Sequence, residues 1–176
     1  MLRSFGHSVI MLACVTFLIA ACNSLPSSSL SSSDCPYIST NEVAAAWGKA
    51  VTATSFRVDN TIKCQYSSTD AQNQITLPGG RTSVDYVEVD IQDYGTTNDA
   101  TNTMQGWSSG QGGAPANFGD KAVWYEGYVG DTNRSPYLVI QKGKYIVIMI
   151  ELGLTKSTKD VLGKIAEIIL SNITKS

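Results

Sequence analysis

The sequence predicts an α+β domain with a mainly antiparallel sheet of about six or seven strands and three helices. Segments with helical spacing and segments rich in β-forming residues follow each other in the order helix, strands, helix, strands, helix. Short turn signals separate the strand-like segments, which is typical of a meander. The last helical segment carries one continuous apolar stripe, and such a stripe requires a sheet to pack on.

The domain is predicted to begin near Cys35 with a first helix. Residues 39–42, Ser-Thr-Asn-Glu, form a capping-box pattern, and Ile38 and Val43 are placed to close as a hydrophobic staple. Because Trp47 falls on the apolar face of this helix, we interpret it as a core anchor rather than as a platform for a ligand.

The first group of strands follows this helix. The segments that alternate or are rich in β-forming residues are 52–58, 61–67, 74–77 and 83–93. In the second of them Ile62, Cys64 and Tyr66 share one face, which places the cysteine on the inner side of the predicted sheet.

The second half has the same order of helix and strands. A second helix is predicted to be capped by Asn98 or Thr97, and it aligns Ala100, Met104 and Trp107. Further strands are predicted at 121–129, 137–141 and 144–152, and a final helix at 157–173. The order suggests a duplicated helix-plus-strands unit, without repetition at the level of residues.

The amino-terminal region has the pattern of an exported protein. Arg3 supplies positive charge, and the apolar run at 9–21 is too short to cross a bilayer as a permanent helix. These features predict a signal peptide at 1–21, a serine-rich tether at 22–34 and a single α+β domain at 35–176.

The end of this signal peptide resembles the bacterial lipobox. Residues 19–22 read Ile-Ala-Ala-Cys, and in lipoproteins the cysteine of this motif receives a diacylglyceryl group and becomes the first residue after cleavage. The resemblance implies that Cys22 is lipidated and that its acyl chains hold the protein on the extracytoplasmic face of the cell membrane. Two alternatives stay open: a chance cysteine near an ordinary cleavage site, and an apolar run that remains uncleaved as an anchor.

The cysteines divide by position. Cys14 would be discarded with the signal peptide and Cys22 would carry lipid, so Cys35 and Cys64 remain in an oxidising compartment. They are predicted to form a disulfide, which would stabilise the domain by about 3–4 kcal/mol on the chain-entropy account. The alternative is a pair of buried free thiols. Two isolated cysteines offer too few ligands for a metal site.

Removal of the signal peptide also removes Arg3 and His7, the only histidine of the chain. Of the 13 Lys and Arg residues, 12 then remain against 15 Asp and Glu residues. This weakly acidic balance argues against nucleic acid as a partner. Without histidine or a free thiol, Ser-His-Asp and Cys-His catalysis and histidine-based zinc sites are excluded, and no cofactor is predicted.

One predicted strand carries two carboxylates that are candidates for acid/base chemistry. Glu88 and Asp90 alternate with apolar residues, so they point to one face about 7 Å apart by strand rise. This separation suits a pair of catalytic carboxylates. The alternation also has a simpler explanation, which we favour: a sheet with one solvent-exposed face.

A second candidate is a calcium site. The turn formed by Asp131, Thr132 and Asn133 offers oxygen ligands, and Asp93 and Asp99 lie elsewhere in the chain. The turn lacks the glycine and the closing glutamate of an EF-hand loop. We therefore interpret it as a solvated turn, and no metal site is predicted.

The glycine-rich segment at 108–119 is predicted to be a long loop, and loops of this length are often functional or mobile. Its glycines do not form a phosphate loop, because no Gly-Lys-Ser/Thr follows. Nearby aromatic side chains could face a sugar ring or a peptide. These candidate ligand-binding residues are Trp107, Trp124, Tyr125, Tyr128 and Tyr137. The alternative is that strand residues such as Trp124 and Tyr128 are buried on the sheet.

Several segments together resemble a known group of proteins. The opening at 35–48, the strand at 63–66, the segment Phe-Gly-Asp-Lys-Ala-Val-Trp at 118–124 and the strands and helix that follow carry the likeness. They look like small actinobacterial cell-envelope lipoproteins built on domains of unknown function. The resemblance implies a fold and a location, and it implies no reaction.

These observations predict a membrane-anchored, non-catalytic binding or accessory module of the bacterial cell envelope. Its expected contacts are the membrane, through acyl chains on Cys22, and an envelope protein or a glycan. One alternative is a carrier of lipids or other apolar small molecules, which needs an apolar cavity between helices and sheet. A second alternative is a carboxylate-dependent hydrolase that uses Glu88 and Asp90.

Overall fold

The computed structural model describes residues 35–70, 74–76, 82–110, 113–129, 133–152 and 159–175. Within these ranges, three helices and a seven-stranded antiparallel sheet follow each other in the predicted order, so the α+β fold is confirmed. The predicted signal peptide, Cys22 and the predicted tether lie outside the described residues. No helix in the described ranges is long and apolar enough to cross a membrane.

The helices and strands have the following bounds. In chain order they are α1 Thr40–Trp47, β1 Val51–Val58, β2 Thr61–Ser68, β3 Gln74–Thr76, β4 Thr82–Val84, β5 Tyr86–Asp93, α2 Thr97–Gly110, β6 Ala114–Ala116, β7 Lys121–Val129, β8 Asn133–Lys142, β9 Tyr145–Leu152 and α3 Lys159–Ile173.

The strand order in the sheet is β1-β2-β5-β9-β8-β7-β6, and β3 and β4 form a separate two-stranded hairpin between β2 and β5. Every neighbouring pair is antiparallel. Strand β5 is the last strand of the first half of the chain, and β9 is the last strand of the second half. These two strands pair with each other at the centre of the sheet. The two groups of strands that the sequence predicts are thus joined into one sheet through these two strands.

Helix α1 forms where the capping box predicts it. The backbone N–H of Glu42 donates to the Ser39 hydroxyl over 3.3 Å, and the Glu42 carboxylate accepts from the backbone N–H of Ser39 over 2.8 Å. The helix ends at Gly48, which adopts a positive φ of 73° and donates its N–H to the carbonyl of Ala44. Trp47 is 8 % exposed, so its predicted role as a core anchor is confirmed.

The helices cover the sheet from both sides. Helices α1 and α3 pack on one face, which we call the α1/α3 face, and α2 packs over β7, β8 and β9 on the opposite face, which we call the α2 face. The alternation of buried and half-buried residues along β2 and β5 follows from this arrangement. The larger core, on the α1/α3 face, includes Val43, Trp47, Ile62, Tyr66, Val87, Val89, Met149, Leu162, Ile165 and Ile169.

Three of the predicted boundaries are wrong. The predicted loop at 108–119 contains the last turn of α2, which ends at Gly110, and the short strand β6. The predicted strand at 83–93 is interrupted at Asp85, which is fully buried beside Lys49. Strand β8 begins at Asn133 rather than at Tyr137. Its first residues pair with β7 but not with β9, so the missing N–H of Pro136 does not interrupt the strand.

Candidate functional site

The predicted disulfide is confirmed. Cys35 and Cys64 are bonded, with their Cα atoms 5.9 Å apart, and both are buried. The bond joins the start of the domain to the inner face of β2, where the side-chain alternation predicts Cys64. The hydroxyl of Tyr66, two residues further along β2, donates to the carbonyl of Ile38 over 2.7 Å. The entry of the chain into α1 is therefore fixed to the sheet at two points.

The two candidate catalytic carboxylates lie on the α2 face of β5, as predicted, and they share a lysine. The ammonium of Lys63 lies 2.5 Å from Asp90 and 3.7 Å from Glu88. Desolvation lowers the pKa of Lys63, but its hydrogen bonds and charge interactions with the two carboxylates outweigh this and raise the pKa overall. One oxygen of Asp90, Oδ1, is buried without a hydrogen-bond partner among the described residues. The arrangement favours an ion-paired sheet face over an acid/base pair.

The candidate calcium ligands within the described residues have other partners. Asp93 accepts from the ammonium of Lys144 and the N–H of Gly95, both over 2.8 Å, and both hydrogen bonds lower its pKa. Asp99 accepts from the Thr96 hydroxyl and donates its backbone N–H to it over 3.2 Å, so Thr96 caps α2 rather than the predicted Thr97 or Asn98. Among the described residues, no three His, Cys, Asp or Glu side chains gather into a group able to hold a metal ion. Asp131 and Thr132 of the predicted turn lie outside the described residues, and nothing is described of the side chain of Asn133.

Three of the five candidate aromatic residues form one cluster on the α2 face. Trp107 of α2 has its ring centroid 5.7 Å from that of Tyr125 and 6.3 Å from that of Tyr137. The two tyrosine rings stack at 5.0 Å, and the Tyr125 hydroxyl donates to the carbonyl of Trp107. Trp124 lies on the opposite face of the sheet, because successive residues of β7 alternate in direction. The side chain of Tyr128 lies outside the described part of the structure.

This aromatic cluster is part of the packing beneath α2. Tyr125 is 5 % exposed, and burial raises its pKa, with a smaller contribution from Tyr137. The backbone at Gly113 passes so close that an added Cβ would lie 2.2 Å from Val123 Cγ1 and 2.6 Å from Tyr125 Cε1. A glycine is therefore required at this point for the β6 segment to pack against β7. These contacts support the alternative that such aromatic residues serve the core.

The remaining aromatic candidate, Trp124, lines a groove on the α1/α3 face. This groove has a volume of about 390 Å³. It lies between β7, the segment that precedes β7, and the first turns of α3. We call it the Trp124 groove, and its lining residues are Phe118, Trp124, Lys159, Asp160, Gly163, Lys164 and Glu167.

The floor of the Trp124 groove is aromatic. The rings of Phe118 and Trp124 meet edge to face, with centroids 6.3 Å apart and planes 80° apart. Gly163 of α3 allows this approach, since a Cβ there would lie 3.3 Å from Phe118 Cζ. The ammonium of Lys159 lies 5.5 Å from the centroid of Trp124, a contact that contributes about 0.5–1 kcal/mol at an exposed site.

The rim of the Trp124 groove is charged and exposed. It carries two ammonium groups, from Lys159 and Lys164, and two carboxylates, from Asp160 and Glu167. An apolar floor with a few polar groups around it is the common composition of small-ligand sites. Sequence reasoning found Trp124 but missed the rest of the groove, because exposed charges on α3 have the same pattern as any solvated helix face.

A buried polar network was also missed. The indole N–H of Trp47 donates to Glu151 over 2.6 Å, and the ammonium of Lys49 lies 2.6 Å from Asp85 and 4.6 Å from the Trp47 ring. Asp85 and Glu151 are 0 % and 2 % exposed. The network connects the end of α1 to the ends of β5 and β9. The one signal in the sequence is Glu151 at the end of the apolar run 146–150, and this pattern alone does not distinguish a buried carboxylate from an exposed one.

Comparison of the chain with known proteins finds no matching family model, no similar curated protein and no similar solved structure.

Proposed function

We propose that this protein is a lipid-anchored domain on the extracytoplasmic face of a bacterial cell membrane, where it acts as a non-catalytic binding or accessory module. The observation that carries the proposal is the tetrapeptide Ile-Ala-Ala-Cys at 19–22, at the end of an apolar run. The serine-rich segment that follows supplies reach between the membrane and the domain. The Cys35–Cys64 disulfide supports the proposal, because disulfides persist in exported proteins and are rare in the cytosol.

The resemblance to small actinobacterial cell-envelope lipoproteins supports the same location. The opening at 35–48 carries part of this likeness. In this chain, that segment includes the disulfide residue Cys35 and the capped helix α1. The proposal therefore includes an envelope partner, either a protein or a glycan, and no nucleic acid.

A non-catalytic role is supported by the state of the carboxylates. Glu88 and Asp90 both contact Lys63, and the region after the predicted cleavage site contains no histidine. If the purified protein hydrolysed esters, glycosides or peptides, and Glu88→Gln with Asp90→Asn abolished the turnover, the hydrolase alternative would replace the proposal. The carrier alternative is less favoured, since large side chains between helices and sheet are fully buried against one another: Tyr66, Met149, Ile165 and Ile169.

The anchor is tested by substitution of its cysteine. Cys22→Ala should abolish incorporation of labelled palmitate and leave an uncleaved precursor, because the acyl group enters through the thiol. Cys14→Ala is the matched control: it removes a cysteine from the same apolar run and should keep both labelling and cleavage. Labelling that persists in Cys22→Ala would show that the attachment site is elsewhere.

A further inference from the structure

We propose that the Trp124 groove binds an uncharged carbohydrate, with one sugar ring stacked on the indole of Trp124 and its hydroxyl groups held by the charged rim. The inference rests on the proposed function, since it names the ligand class of the binding module. The juxtaposition that carries it is an aromatic floor surrounded by equal numbers of cationic and anionic side chains.

The floor is suited to a flat ligand with polarised C–H groups. Phe118 meets Trp124 edge to face at 80°, and both rings line the groove. The face of an aromatic ring is negative, so it attracts positively polarised groups. The ammonium of Lys159 already lies over this ring. A sugar ring presents a face of C–H groups of the same polarity, and it matches the size of one ring of the indole.

The rim selects for hydroxyl groups. The carboxylates of Asp160 and Glu167 only accept hydrogen bonds, and the ammonium groups of Lys159 and Lys164 only donate them. A hydroxyl group donates and accepts, so a polyol satisfies both kinds of rim residue. The formal charges of the four side chains cancel, and a ligand of either charge would therefore meet a like charge at the rim. The best match is a neutral molecule with many hydroxyl groups.

Size and position favour a sugar over a peptide. The groove volume, about 390 Å³, is near the lower end of the range of about 300–1,000 Å³ for small-ligand clefts. Peptides that add to a sheet need a free edge, whereas Trp124 lies on a strand paired on both sides, opposite Ala114 of β6 and Leu138 of β8. The groove thus offers side chains and a ring face rather than backbone hydrogen bonds.

The test is a calorimetric titration of the full-length protein in detergent micelles. The probes are linear oligosaccharides of N-acetylglucosamine, of galactose and of arabinose, each titrated separately, and a capped neutral tripeptide. At least one oligosaccharide should bind, and Trp124→Ala should weaken its binding about tenfold or more. Asp160→Asn with Glu167→Gln should weaken it severalfold. Glu88→Gln, a similar change on the opposite face of the sheet, should leave the affinity unchanged.

Three results would overturn the proposal. The first is that none of the oligosaccharides binds, and the second is that the tripeptide binds instead of the oligosaccharides. The third is that the parent and the variant Asp160→Asn with Glu167→Gln bind an oligosaccharide with equal affinity. The rim residues are exposed, so their variant keeps the test decisive even where Trp124→Ala prevents folding. Acyl labelling of Cys22 is measured separately. Sugar binding by a protein that is not labelled would refute the anchor alone, and labelling without sugar binding would refute the groove alone.

Discussion

Asp85 is a fully buried carboxylate, and the ammonium of Lys49 lies 2.6 Å from it. Taking charges out of water is costly, and attraction at 2.6 Å offsets that cost only while both partners are present. Lys49 also lies over the ring of Trp47, whose indole N–H donates to Glu151. A change at any one of these side chains therefore affects the others.

Lys49→Ala should reduce the free energy of unfolding by about 3–5 kcal/mol, because it leaves a buried carboxylate without its lysine. The measurement is urea denaturation of the parent and the variant. Lys142→Ala is the control: Lys142 pairs with Asp120, whose side chain is 45 % exposed, and its loss should cost less than about 1 kcal/mol. Equal losses in the two variants would contradict the assignment.

Asp120 gives the domain a dependence on acid pH. The N–H of Gly143 donates to its carboxylate over 2.6 Å, and this bond, with a smaller contribution from Lys142, lowers the pKa of Asp120 below its ordinary value of 3.8. A lowered pKa means that the stabilisation is complete above the ordinary value and is lost as the pH falls through the lowered one. The half-exposed position limits the effect to less than about 1 kcal/mol.

The parent should lose stability as the pH falls below 3.8, and Asp120→Asn should make this loss smaller. Both proteins should remain folded at neutral pH. Urea midpoints above and below that pH give the measurement. Parallel pH profiles for the parent and the variant would show that the bond to Gly143 contributes nothing to the native state.

Single elements are predictable where their signal is local. The cap of α1, the alternation along β5 and the stripe of α3 each arise within one segment, and each appears in the structure. The true end of α2 and the strand β6 depend on contacts with β7, which the local sequence does not carry. The same limit applies to the candidate site: Trp124 and Tyr125 are adjacent in sequence but lie on opposite faces of the sheet, so proximity in the chain wrongly grouped them.

Gly113→Ala should destabilise the domain by about 1–3 kcal/mol, because the new Cβ would overlap Val123 and Tyr125. Gly106→Ala is a matched control within α2, where an added Cβ meets nothing within 4 Å. That change should instead stabilise the helix by about 0.5–1 kcal/mol. Thermal unfolding of the two variants checks both signs. A Gly113 variant as stable as the parent would mean that β6 does not pack on β7 as described.

At the scale of the whole molecule, two groups of strands share one sheet, and the pairing of β5 with β9 holds them together. On the α2 face, helix α2 covers the second group of strands. On the same face, the first group of strands carries ion pairs such as Lys63 with Asp90. The order of elements predicts the fold class. The unbroken apolar run at 146–150 is typical of a central strand covered on both faces, and β9 lies at the centre of the sheet. The order of elements does not predict that β5 is its neighbour.

The disulfide joins the start of the domain to the middle of β2, and its formation can be tested by counting thiols. A thiol assay on the denatured, unreduced protein should find no reactive thiol from Cys35 or Cys64, and reduction should release two. Reduction should also lower the free energy of unfolding by about 3–4 kcal/mol. Two reactive thiols before reduction would contradict the bond.

The position of this bond has a mechanical consequence. Cys35 is the first described residue of the domain, and its sulfur is bonded to a strand in the sheet rather than only to the helix that follows it. Tension applied to the chain ahead of Cys35 would reach β2 through a covalent link and bypass α1. The helix would stay folded under a pull that would otherwise unwind it first, and the sheet would bear the load.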